Sequence, residues 1–80
     1  MITIINEYSD HKVVTYFGAS LIVPFWVNYL ATDKQGSVFG FSKIPYYKDN
    51  YWLTDNPDYP GKQIARANIN MNPEDSMVKL

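Results

Sequence analysis

Eighty residues with a net charge of −1 and no cysteine bound a single small domain, residues 1–80, without disulfides. One histidine, His11, excludes a Cys/His zinc staple, and seven basic residues scattered singly give no stripe that could follow a phosphate backbone, so nucleic acid is not an expected partner. The apolar run 21–27 is broken by Pro24 and is far short of the roughly 20 residues of a membrane helix, and residues 1–7 lack a basic start with a cleavage site, so neither an anchor nor a signal peptide is expected.

A chain this short buries only about 60% of the surface its unfolded form exposes, so stability needs wide side chains or self-association. Aromatic content of 16%, from two Trp, seven Tyr and four Phe, supplies the first and leaves homo-oligomerisation open. Absence of cysteine fits a reducing cytoplasm.

Residues 12–23 are rich in β-branched and aromatic types, interrupted by Gly18-Ala19. This predicts a hairpin of 12–17 with 20–23 around a type II′ turn, Gly18 first, ending at Pro24, which cannot donate to a ladder. Residues 27–32 and 37–42 flank Asp33-Lys34-Gln35-Gly36, where Asp suits the first position of a type I turn and Gly the left-handed residue after it. That is a second hairpin. Neither of its faces is purely polar, so both are expected to be at least partly covered. Gly40, between Phe39 and Phe41, marks a bulge or a close approach by another group.

Residues 44–61 combine three Pro, four Tyr and one Trp with Asp and Asn and hold no apolar period, which reads as a long ordered loop. Alternation resumes over 62–69 as a further strand. Asn72-Pro73-Glu74-Asp75 then places a helix-capping residue, a Pro suited to the first helical position and two acids in sequence, predicting a short helical turn whose Met77 and Leu80 press onto the sheet. The expected fold is mainly β: two antiparallel hairpins plus a further strand in one sheet, a long aromatic loop and a short C-terminal helical turn.

Catalysis needs titratable groups that converge, and the supply is thin. Ser9, Asp10 and His11 contain the letters of a triad, but neighbours on an extended chain point to opposite faces, so no enzyme is expected. Asp49, Asp55 and Asp58 lack the spacing, the central Gly and the closing Glu of a calcium loop, so neither a metal nor a cofactor is assigned. No Gly-rich nucleotide cradle occurs either. The informative stretch is Tyr46, Tyr47, Asp49, Tyr51, Trp52, Asp55, Asp58 and Tyr59, because binding surfaces favour wide rings with few rotors beside short polar groups. These residues are the expected partner-binding set, with Trp52 and some Tyr also serving the core.

The run from Tyr29 through Asp33, Gly36, Val38 and Phe41, then Pro45, Trp52, Ala67 to Asn70 and Glu74 to Leu80, resembles small bacteriophage-encoded accessory proteins. The resemblance implies a protein of the infected bacterial cytoplasm that binds and blocks or redirects a host or defence protein stoichiometrically. Two other classes fit the composition: a sponge for a nucleotide signal, with Tyr and Trp clamping a base, and a minor structural or assembly subunit.

Overall fold

The computed structural model describes residues 10–80, and among them antiparallel strands dominate. Strands β1 (His11–Tyr16) and β2 (Ala19–Pro24) form one hairpin, and β3 (Tyr29–Thr32) and β4 (Ser37–Phe41) form the next. Strand β7 (Lys62–Arg66) pairs with β4, and the two-residue β8 (Val78–Lys79) pairs with β3, giving a four-stranded sheet in the order β7-β4-β3-β8. Between them, β5 (Tyr46–Lys48) and β6 (Tyr51–Leu53) make a third hairpin.

Each turn follows from its residues. Asp33 reads as expected: its Oδ1 accepts from the backbone N–H of Gln35 (2.9 Å) and Ser37 (3.0 Å), Gly36 N–H donates to the Asp33 carbonyl (3.1 Å), and Gly36 sits at φ +86°. The first hairpin departs from the type II′ expectation. Tyr16 pairs with Ala19, so Phe17 and Gly18 are the central residues, and both have positive φ, the type I′ pattern that matches strand twist.

The hairpins do not share one sheet. β1–β2 stands as its own two-stranded unit whose inner residues Tyr16 and Val23 join Val27, Leu30 and Val38 in the core, with Val14, Leu21, Ile64, Ala65, Ala67 and Val78 around them. Each fully buried Val, Leu or Phe contributes roughly 1.5–3 kcal/mol, so this small cluster carries a large share of the stability. By strand alternation Leu30, Thr32 and Val38 face one side and Ala31 and Phe41 the other, and all are buried, so both faces of the central hairpin are covered as expected. Gly40 admits the Val27 methyls, which would lie 2.8 and 2.9 Å from an added Cβ, and the neighbouring bulge falls between Val38 and Phe39.

The C-terminal segment differs from the expectation in what anchors it. Pro73–Asp75 is a single 3-10 turn, Asn72 makes no side-chain cap, Met77 is only half-buried and Leu80 is exposed. Ser76 holds the segment instead: fully buried, its hydroxyl accepts from Thr32 N–H (2.8 Å) and lies within donating distance of the Thr32 (3.0 Å) and Pro73 (2.6 Å) carbonyls. The Tyr16 hydroxyl donates to the Ser76 carbonyl (2.9 Å) and contacts Thr32 Oγ1 at 2.7 Å. β8 pairs with β3 only at Tyr29 and Leu30, so beyond it a serine side chain stands in for the missing strand. The alternation read over 62–69 yields a strand that ends at Arg66.

Candidate functional site

The stretch 44–61, expected as a loop, is instead built around the β5–β6 hairpin. Asp49 and Asn50 close it with φ +52° and +71°, both left-handed, which Asp and Asn tolerate because their short side chains bond locally. Cross-strand pairing sets Tyr47 opposite Trp52, with Tyr46 opposite Leu53 and Lys48 opposite Tyr51. Alternation then gives the hairpin two unlike faces.

Tyr47 and Trp52 are half-buried and stack edge to face, with ring centroids 5.3 Å apart at 62°. Trp52 Nε1–H donates to the Thr32 carbonyl at 2.9 Å, tying this face to the edge of β3. The other face is Tyr46, Lys48, Tyr51 and Leu53, all exposed, with Tyr51 50% exposed and Leu53 40%. A Tyr, a Tyr and a Leu left open on one side of a hairpin, with a lysine among them, form an apolar surface with one charge.

Past β6 the chain is tied to itself. Asp58 N–H donates to Asn56 Oδ1 (2.9 Å), Tyr59 N–H to the Asn56 carbonyl (3.0 Å), and Thr54 Oγ1 lies 3.2 and 3.1 Å from the Asn56 and Tyr59 carbonyls. Pro57 occupies the second position of this turn, where its fixed φ is suited. Lys43 Nζ lies 5.5 Å from the centre of the Tyr59 ring, and Gly61 packs so closely on Phe41 that an added Cβ would meet the ring at under 3 Å.

The eight residues expected to bind a partner therefore fall into different settings. Tyr46 and Tyr51 lie on the open face, Tyr47 and Trp52 on the docked one, Asp49 at the hairpin tip, and Asp55, Asp58 and Tyr59 on the tied loop, all exposed. Leu53 and Lys48 complete the open face and were not among them. Trp26 was also missed: with Tyr59, Pro60, Lys62, Ser42 and Asp58 it lines a cleft of about 370 Å³. Its signal was present, since Phe25-Trp26 follow the proline that ends β2, and a Val27 N–H to Pro24 carbonyl bond (3.1 Å) turns the chain there.

Among the described residues no three His, Cys, Asp or Glu side chains come together as a metal would require, and no helix is long and apolar enough to cross a membrane. Ser9 of the Ser-Asp-His string lies outside the described residues; His11 opens β1 opposite Pro24. No protein-family model matches the chain, and neither curated proteins nor solved structures give a significant match.

Proposed function

We propose that this chain is a non-catalytic binding module that occupies a protein surface through the open face of the β5–β6 hairpin. One observation carries the reading: the hairpin is anchored from behind by Tyr47 and Trp52 while Tyr46, Tyr51 and Leu53 stand exposed in front. Interface hot spots are enriched in Tyr and Trp, and a hairpin fixed before contact loses little entropy on binding. The type I′ turn and the bond to Thr32 supply that fixing. By the resemblance noted above, the partner is a host or defence protein of an infected bacterium, held stoichiometrically.

The test is quantitative capture from a bacterial lysate by the tagged protein and by its Tyr51→Ala and Leu53→Ala variants. The expected result is one enriched protein whose retention falls by about 1 kcal/mol or more in each variant while the melting curve stays within about 1 kcal/mol of the parent. Equal retention by correctly folded variants would remove the open face from the function.

A further inference from the structure

We propose that the Trp26–Tyr59 cleft is a separate site for a planar heteroaromatic ring of nucleobase size, with the donor and acceptor edge of guanine. This inference does not rest on the hairpin's open face, because none of Tyr46, Tyr51 or Leu53 lines the cleft.

Size selects first. Pockets that enclose small ligands run from about 300 to 1,000 Å³, so about 370 Å³ admits one ring system rather than a dinucleotide or a folded peptide element. The walls select next. Trp26 is 44% exposed and Tyr59 45%, two open rings bordering one concavity. Aromatic faces stack on any flat π-system. Lys43 lies over the Tyr59 ring without lining the cleft, and Tyr59 keeps 45% of its surface exposed.

The polar groups then choose an edge. Asp58 and Lys62 both line the cleft, one acceptor-only carboxylate and one donor-only ammonium, and their charges cancel. A net anion gains nothing from such a pair. A ring that presents an acceptor next to N–H donors matches both, and guanine does so with O6 beside N1–H and the N2 amine. Adenine presents the N6 amine where guanine presents O6, which would set a donor against the lysine. The backbone of the site is set in advance. Asp58 and Tyr59 bond to Asn56 through their N–H groups, and Gly61 is seated on the ring of the buried Phe41.

Isothermal titration of the full chain with guanosine 5′-monophosphate, adenosine 5′-monophosphate, inorganic phosphate and a proline-rich peptide tests the assignment. Guanosine monophosphate should bind, the adenosine nucleotide about tenfold more weakly, and phosphate not measurably. Trp26→Ala should weaken guanosine monophosphate by about tenfold or more while Trp26→Phe keeps most of the affinity, since stacking is the lost interaction. Asp58→Asn and Lys62→Met should each narrow the preference for guanine over adenine, and Tyr51→Ala should leave the titration unchanged. Trp26 is exposed, so its variants should melt with the parent, and circular dichroism checks this. The proposal is overturned by silence toward guanosine monophosphate up to millimolar concentration, by phosphate or the adenosine nucleotide binding equally well, by a well-folded Trp26→Ala that binds as the parent does, or by binding of the peptide alone.

Discussion

Two glycines at positive φ separate conformational strain from steric room. An added Cβ at Gly18 meets nothing within 4 Å, whereas at Gly36 it lies 2.6 Å from the Ala67 carbonyl oxygen, on a residue whose N–H donates to the Gly36 carbonyl at 2.8 Å. Gly18→Asn should therefore cost under about 1 kcal/mol, since Asn tolerates the left-handed region, while Gly36→Val should cost at least about 1–2 kcal/mol from φ alone and more from the clash. Paired urea melts measure the difference, and equal midpoints would mean that the Gly36 turn is misplaced. Phe17 makes the converse case: a bulky residue at φ +47°, half exposed, stacked edge-on against Tyr16 at 4.7 Å. Phe17→Asn creates the favoured Asn-Gly turn and should raise stability by about 1 kcal/mol in the same urea melts.

At the scale of elements, the two faces of β5–β6 should respond differently. Trp52→Ala removes both the edge-to-face ring contact and the donor to Thr32, and should destabilise by about 3 kcal/mol or more. Tyr51→Ala, on the open face, should stay within about 1 kcal/mol of the parent. Chemical denaturation separates these outcomes, and similar losses at both positions would mean that the face assignment is wrong. Part of this arrangement is legible in the sequence and part is not. Asp33 and Gly36 announce their turn because side-chain capping and a left-handed residue belong to particular amino acids. Strands of three residues are too short to display a period of two, and Asp49-Asn50 contains no glycine, so the hairpin passes for a loop. Wide rings near residue 50 marked the region in which the exposed hairpin face lies. Which of them face inward depends on register, which composition does not encode.

For the molecule as a whole, the mainly β class follows from β-branched runs and turn residues, but the joining of distant segments does not. Nothing local in Ser76 distinguishes it from a solvent-exposed serine; its role arises only because β8 stops short of Thr32 on its side of β3. Likewise Val78–Lys79 is too brief to read as a strand. Since no cluster of ligating side chains forms among the described residues, a chelator should leave the melting temperature unchanged, and a fall of several degrees would instead point to a bound cation.

Tyr16 and Ser76 meet across 60 positions of sequence, and their bond cannot form until the intervening hairpins have brought the two segments together. Closing so long a loop is entropically costly and yields only a few polar contacts, whereas each hairpin closes locally. The order of events follows: hairpins early, seam last. A seam absent from the transition state changes the rate of unfolding and leaves the rate of folding almost untouched. Ser76→Ala, which leaves the buried Thr32 N–H without its acceptor, should cost about 1–3 kcal/mol, with nearly all of it appearing in the unfolding limb of a stopped-flow chevron. A shift of the refolding limb would place the seam in the nucleus. Loss of one hydroxyl group should then shorten the lifetime of the folded molecule.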